Sequence, residues 1–132
     1  MSQGNVAIVK RWIELTNAGD VEAIIELLAP DIECFPAEGE PEAEKFSGRE
    51  EYRKRAMGAR EAFDEHHVEV SEYVDLGEHV AVVGRVSARG RASGVPVAAD
   101  EVWLYRFKDG QCVEYRECGT RQRALEFAAQ GG

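Results

Sequence analysis

The stretch that decides the fold is Val97 to Cys118, which reads VAADEVWLYRFKDGQCVEYREC. Asp109-Gly110 divides it into two arms, and this dipeptide is typical of a tight hairpin turn because Gly tolerates positive φ. The residues of one face alternate along both arms: Ala99, Glu101, Trp103, Tyr105 and Phe107, then Val113, Tyr115 and Glu117. A strand face that carries both aromatic rings and carboxylates is typical of a pocket wall or a dimer seam. The pattern therefore predicts a hairpin with a functional face.

Length and charge limit what the chain can be. Its 132 residues suffice for one domain with a buried core, predicted over residues 1–132. The net charge of −9 argues against a nucleic-acid partner, which requires clustered Lys and Arg. No apolar run reaches the roughly 20 residues that span a membrane, and MSQGNVAIVKRW lacks the features of a signal peptide. We therefore expect a cytoplasmic protein without a membrane partner.

Cysteine and histidine spacing gives no sign of a metal or a disulfide framework. Cys112 and Cys118 lie six positions apart on one predicted strand, roughly 20 Å at the usual rise, too far for a direct bridge. With Cys34 they are interpreted as reduced thiols. His66 and His67 are adjacent and point to opposite faces of a strand, so they cannot chelate one ion together. The prediction is no metal and no cofactor.

The first third of the chain is predicted to be mainly helical. Apolar residues recur at helical spacing from Asn5 to a break at residues 17–20. A second helix is predicted over Val21 to Ala29, with Pro30 ending it, and a short strand over Asp31 to Phe35. The acidic segment 37–45 is interpreted as a solvated loop, with a lid over a pocket as the alternative.

The rest of the chain switches from helix to strands. Ser47 and Glu50 form a predicted capping box for a third helix that runs to about Phe63. Strands follow over 67–76 and 79–91, then the hairpin, and a final helix over 121–129. The predicted class is α+β. A curved antiparallel sheet would wrap around the N-terminal helical hairpin and the third helix as a cone, leaving an internal pocket.

Four segments carry a resemblance to a known family. They read IVKRWIELTNAGDVEAIIELLAPDIECFP (8–36), FSGREEYRKRA (46–56), VWLYRFKDGQCVEYRE (102–117) and RQRALEF (121–127). In this order they resemble the SnoaL-like domains of the nuclear transport factor 2-like superfamily, over nearly the whole chain. The resemblance implies the cone fold. It leaves the activity open, because this fold hosts isomerases, cyclases, hydrolases, dehydratases and proteins without catalysis.

Comparison with the ketosteroid isomerases of this superfamily concerns three positions. The resemblance places Trp12 where those enzymes carry an oxyanion-hole Tyr, Phe35 at the catalytic base, and Trp103 at the oxyanion-hole Asp. Neither Phe35 nor Trp103 can exchange a proton with carbon. Isomerisation of that type is therefore not expected, and the three substitutions indicate an apolar, aromatic-lined pocket.

The limonene-type epoxide hydrolases and the SnoaL-type cyclases suggest a different set of residues. Arg85-Val86-Ser87 keeps the arginine of the hydrolase pattern and lacks its first carboxylate, whereas Glu117 stands at the second. The cyclases need one acid/base carboxylate, which either Glu117 or Glu101 can supply. The resemblance does not choose between them.

Two functional hypotheses follow. In the first, the protein is an acid/base enzyme for a small apolar or polycyclic ligand, with Glu117 as acid/base and Arg85 orienting it. The predicted pocket lining is Trp12, Phe35, Tyr52, Glu101, Trp103 and Tyr115. In the second, the protein is a non-catalytic ligand-binding or dimerisation module, and Arg85 and Glu117 form a structural ion pair. A homodimer through the sheet is expected in either case if its convex face is exposed.

Overall fold

One curved, open sheet and the helices on its two faces form the α+β fold. The computed structural model describes residues 2–36 and 44–130. The helices are α1 (Ser2–Ala18), α2 (Val21–Ile25), α3 (Arg49–Ala62) and α4 (Arg121–Gln130). The strands are β1 (Leu28–Phe35), β2 (Phe46–Ser47), β3 (Phe63–Leu76), β4 (His79–Gly90), β5 (Pro96–Lys108) and β6 (Gln111–Glu117). Their order in the sheet is β2-β1-β6-β5-β4-β3.

The predicted meander of antiparallel strands is confirmed for β3 to β6, and its turn has the expected geometry. Asp109 and Gly110 have φ of 51° and 79°, and Lys108 pairs with Gln111 across them. Positive φ at both central residues matches the twist of a two-residue hairpin. The sheet was predicted to be antiparallel, and one of its pairings differs, since β1 runs parallel to β6.

The two faces of the sheet contribute to different apolar clusters. On the concave face, Trp103, Tyr105 and Phe107 of β5 pack into the main core with residues of α1 and α2. On the outer face, Val102 and Leu104 pack beneath Ala124 of α4, in a smaller cluster. The alternation predicted for β5 therefore separates the two clusters.

Helix α4 packs on the convex face of the sheet, the face through which a homodimer was predicted. It covers outer apolar positions of β4 and β5, and the neighbouring outer residues Glu69, Arg85 and Asp100 are exposed and charged. The convex face is therefore not a broad apolar surface. Dimerisation through the sheet stays a prediction. Separately, none of the helices in residues 2–36 and 44–130 is long and apolar enough to cross a membrane.

Two β-bulges bend β3 over the concave face. One lies between Asp64 and His67, where Glu65 has a φ of 57°, and the other lies between Val70 and Glu72. Bulges increase twist and curvature. At the second bend the chain passes close to Gly84, where an added Cβ would lie 2.6 Å from the Glu69 carbonyl oxygen. Only glycine fits this approach without displacing backbone.

We expect Gly84→Ala to lower the free energy of unfolding by about 1–3 kcal/mol, because the new methyl group overpacks against backbone. The matched control is Gly58→Ala in α3, where an added Cβ would meet no atom within 4 Å beyond the backbone of its own helix and its chain neighbours. That substitution should stabilise the protein by about 0.5–1 kcal/mol, since Ala favours a helix interior. Urea denaturation followed by circular dichroism measures both. Equal effects of the two variants would contradict the close approach.

Several predictions at the ends of elements are wrong. Helix α2 ends at Ile25 instead of Ala29, and Pro30 lies within β1. Proline is tolerated there because the pairing of β1 with β6 is irregular between Leu28 and Glu33. The backbone N–H group that proline lacks is therefore not needed for a regular strand pairing. The predicted capping box is also wrong: Gly48, with a φ of 91°, is the N-cap of α3 and no side chain caps it. The acidic segment interpreted as a loop or lid lies outside the described residues over 37–43.

Candidate functional site

A cavity of about 420 Å³ lies between the concave face of the sheet and helices α1 to α3. Its aromatic lining consists of Trp12, Phe46, Tyr52, Trp103, Tyr105 and Tyr115. Its polar and charged lining consists of Thr16, Arg55, Arg60, His66 and Glu117. Small aliphatic residues complete the wall. Cavities that hold small molecules usually measure about 300–1,000 Å³ and have this mixture of apolar walls and few polar groups.

Trp12 organises the aromatic part of the wall. Its ring centroid lies 4.8 Å from that of Tyr105, 5.6 Å from that of Tyr115 and 6.0 Å from that of Tyr52, each time in an edge-to-face arrangement. Tyr105 and Tyr115 stack at 5.3 Å. Edge-to-face and stacked rings attract through their quadrupoles, in addition to burying area. These four rings therefore form one interlocked cluster.

The three tyrosines of the cluster are hydrogen-bonding groups and not bases. Burial raises the pKa of Tyr105 and of Tyr115 well above the ordinary value of 10.0. Burial also raises the pKa of Tyr52, and a hydrogen bond from Trp12 offsets part of that increase. The hydroxyls remain protonated at neutral pH and can donate to an oxygen of a bound molecule.

Glu117 carries the acidic chemistry of the wall. It stands near the end of β6, opposite Trp103 in the register of β5 and β6. Its side chain is half-buried and is the one carboxylate among the described residues that line the cavity. It also borders a second cavity of about 250 Å³, with Pro36 shared between the two. Its carboxylate lies on the wall of the cavity, and a carboxylate is a group that can take or give a proton.

Arg85 does not orient Glu117. Its guanidinium lies 2.8 Å from the carboxylate of Asp100, and its exposed side chain lies on the outer face of the sheet. The reason is strand alternation, since Gly84 and Val86 beside it belong to the concave face. The paired role predicted for Arg85 and Glu117, catalytic or structural, is therefore wrong.

Glu101 and Phe35 also lie outside the main cavity. One carboxylate oxygen of Glu101 accepts hydrogen bonds from the backbone N–H groups of Val102 at 2.9 Å and Gly119 at 3.1 Å. The Phe35 ring stacks beneath the Arg116 guanidinium at 3.8 Å and lines the second cavity. Both side chains thus have structural contacts of their own. The main cavity brings together the other predicted residues, namely Trp12, Tyr52, Trp103, Tyr115 and Glu117.

Sequence reasoning missed the basic part of the wall. Tyr52, Ala56 and Ala59 of α3 line the cavity, and Arg55 and Arg60 occupy the adjoining positions at i+3 and i+8 from Tyr52. Helical spacing therefore contained the signal for both arginines. His66 had no such signal: it faces the cavity because the bulge at Glu65 shifts the alternation of β3.

The cysteines supply no nucleophile at neutral pH. Burial raises the pKa of Cys34 to about 12 and that of Cys118 to about 11. Burial also raises the pKa of Cys112. The reactive form of cysteine is the thiolate, so these side chains act as small apolar groups. Among the described residues, no cluster of three or more His, Cys, Asp or Glu side chains is placed to hold a metal ion.

His66 is expected to titrate below its ordinary pKa of 6.5. Burial lowers its pKa, and the nearby charge of Arg60 lowers it further. The unfolded chain therefore binds a proton at this site at a higher pH than the folded chain does. As a result the folded state loses stability as the pH falls through 6.5, the ordinary pKa that the ring has in the unfolded chain. The loss should be smaller in His66→Gln, and an NMR titration of the ring measures the midpoint directly. A midpoint at or above 6.5 would contradict the half-buried position of the ring beside Arg60.

Comparison with known proteins gives a family and a fold. A family model described as a SnoaL-like domain matches residues 9–115. A nuclear transport factor 2-like protein of unknown function from Burkholderia pseudomallei is 19% identical, with a TM-score of 0.79 over 94% of this chain and 95% of its own. A protein from Mesorhizobium loti, named a SnoaL-like polyketide cyclase, is 29% identical, with a TM-score of 0.69 over 85% and 96%.

A third structure has a ketosteroid isomerase-like fold and comes from Catenulispora acidiphila in complex with trimethylamine. It is 16% identical, with a TM-score of 0.75 over 92% of each chain. A search of the curated proteins gave no match. The solved structures agree with the cone fold predicted from sequence.

Proposed function

The chain belongs to the SnoaL-like domain family, and from this premise we propose that its cavity binds a small, largely apolar ligand and catalyses proton transfer on it. Glu117 is the acid/base in this proposal. The reaction is of the isomerase, cyclase or hydrolase type, in which a proton leaves or joins carbon or oxygen.

One observation carries the proposal: Glu117 is the single carboxylate on the described wall of a cavity that is otherwise mainly aromatic and aliphatic. A carboxylate beside an apolar ligand can accept a proton from carbon, provided that the resulting oxyanion is stabilised. The protonated hydroxyls of the tyrosines are suitable donors for that purpose. Arg85 has no part in this mechanism.

The character of the ligand is inferred from the rings around it. Trp12 and Trp103 stand on the wall together with three tyrosines. Flat aromatic surfaces favour flat, polycyclic molecules, since stacked and edge-to-face contacts add to the burial of area. The Mesorhizobium loti relative is named a polyketide cyclase, a name that supports a ligand with carbonyl groups and acidic C–H bonds.

The experiment uses 2-tetralone, a bicyclic ketone with exchangeable α-hydrogens, as the probe. In D₂O the carboxylate would remove an α-proton, giving an enolate, and deuterium would be returned to the same carbon. NMR follows the exchange, and protein fluorescence follows binding, because both tryptophans of the chain line the cavity. We expect saturable binding and exchange faster than in buffer alone.

Binding without faster exchange would favour the alternative, a non-catalytic ligand-binding module. Absence of both would overturn the ligand-binding proposal and leave the dimerisation module. Light scattering tests that last possibility, including the homodimer through the sheet, by measuring the mass of the particle in solution.

A further inference from the structure

We propose that the cavity selects ligands that carry an anionic group, such as a bicyclic or polycyclic aromatic carboxylate, and that Arg60 binds this group. The inference rests on the proposed function, because it specifies the ligand class of the same cavity. It adds a position for the acidic group that is separate from the reacting atom beside Glu117.

The charge of the wall differs from the charge of the chain. The chain has 25 acidic and 16 basic residues, excluding histidine. On the described wall of the cavity basic residues outnumber acidic ones, since Arg55 and Arg60 line it together with one carboxylate, Glu117. A cavity with a local excess of positive charge attracts anions even in an acidic protein.

Arg60 differs from most arginines of the chain in its partners. A carboxylate lies within 4.0 Å of Arg53, Arg55, Arg85, Arg89, Arg91, Arg106, Arg116 and Arg121. Arg60 instead donates a hydrogen bond to the backbone carbonyl of Thr16, and no ion pair links it to a carboxylate of residues 2–36 or 44–130. A guanidinium has five N–H donors, so donors remain for a ligand.

A hydrogen bond to the end of α1 positions the guanidinium of Arg60. Thr16, its acceptor, belongs to the last turns of α1. Asn17 next to it exchanges two hydrogen bonds with the Val68 backbone, at 2.7 and 3.0 Å, which fasten the end of α1 to β3. An added Cβ at Gly19 would lie 3.3 Å from a guanidinium nitrogen of Arg60. A fixed donor needs little ordering on binding, which favours affinity.

His66 and Arg55 supplement this position. The His66 ring is near enough for the charge of Arg60 to influence its titration, and its neutral form has one N–H to donate. Arg55 adds positive charge, although part of it is offset by Glu51 at 3.2 Å and its guanidinium stacks on Phe46 at 4.2 Å. Arg60 is therefore the primary contact. A bidentate bond to a carboxylate is the interaction that a planar guanidinium favours.

The anion position and the acid/base lie on different elements, since Arg60 belongs to α3 and Glu117 to β6. Glu117 belongs to β6, and His66, beside Arg60, belongs to β3, with β5 and β4 between them in the sheet. A ligand that reaches both must hold its acidic group away from the reacting carbon. Two or more fused rings give that separation and match the aromatic wall.

The test compares 2-naphthoate with 2-naphthamide by calorimetry at neutral pH, since the two probes share the ring system and differ in charge. We expect the wild-type protein to bind naphthoate at least tenfold more tightly. Arg60→Gln should remove this preference and leave naphthamide affinity unchanged, and Arg60→Lys should keep part of it. Arg53→Gln is the control: Arg53 is on the same helix and pairs with Glu22 on the surface.

Equal affinity of the wild-type protein for the two probes, or binding of neither, overturns the inference whatever the variants do. A uniform loss of affinity for both probes in Arg60→Gln overturns the assignment to Arg60. Failure of the proposed function is distinguishable. A protein that prefers naphthoate but does not accelerate tetralone exchange keeps the anion position and loses the catalytic role of Glu117.

Discussion

Replacing Trp12 by Ala is expected to lower the free energy of unfolding by about 3–5 kcal/mol, the usual cost of truncating a buried aromatic residue. The ring is 3% exposed and contacts three tyrosine rings. Its removal leaves a hole at the junction of α1, α3 and the concave face of the sheet. Part of this cost is the loss of the edge-to-face contacts, which are worth about 0.5–1.5 kcal/mol each beyond the burial of area.

The matched variant is Trp12→Phe, which retains a ring and should cost clearly less than the alanine substitution. Urea denaturation followed by far-ultraviolet circular dichroism measures both, without dependence on the tryptophan that is removed. A cost below about 1 kcal/mol for Trp12→Ala would mean that the site collapses easily. In that case Trp12 is not the centre of the wall.

The hairpin was predictable because its information is local. Asp109-Gly110 requires no distant contact to adopt positive φ, and the alternation of β5 distributes Trp103 and Leu104 to opposite clusters. For the same reason the aromatic part of the candidate site could be predicted. Large rings at period-two and helical spacing face a core wherever the elements pack.

Arg85 shows where resemblance and physical pattern disagree. The alternation of β4 places Arg85 on the face opposite Val82 and Val86, whereas the hydrolase pattern suggested a pair with Glu117. The structure follows the alternation, with Arg85 paired to Asp100 outside. A catalytic arrangement known from a relative applies to this chain only where the corresponding residues point to the same face of the sheet.

His66 shows what the sequence could not reveal. Two residues of β3, Glu65 and His66, oppose Ala88 alone, so the parity of the strand changes at this point. Glu65 adopts a φ of 57° although it is not glycine. A one-residue bulge depends on how β3 must bend over α3, which is tertiary information. The start of β1 was missed for a similar reason, since an irregular pairing accommodates Pro30.

Replacing Glu117 by Gln is expected to slow the exchange of 2-tetralone by roughly 100- to 10,000-fold, the range that general acid/base groups contribute. Glutamine has nearly the same size and cannot accept the α-proton, so the cavity keeps its shape and loses its base. Binding of the ketone, measured by tryptophan fluorescence, should change little. The loss should therefore appear in the rate of the bound complex and not in the concentration that half-saturates it.

Glu69→Gln is the control for this result, because Glu69 is an exposed carboxylate on the outer face of the same sheet. The substitution removes one negative charge and leaves the cavity unchanged. The variant should therefore exchange 2-tetralone at the rate of the wild-type protein. If both variants slow exchange equally, the effect is one of net charge and Glu117 has no specific role. If neither variant slows the exchange, a group other than Glu117 takes the proton. The tyrosines cannot be that base, because their raised pKa keeps the hydroxyls protonated at neutral pH. His66 is then the remaining titratable candidate on the described wall, since its lowered pKa keeps the ring neutral and able to accept a proton.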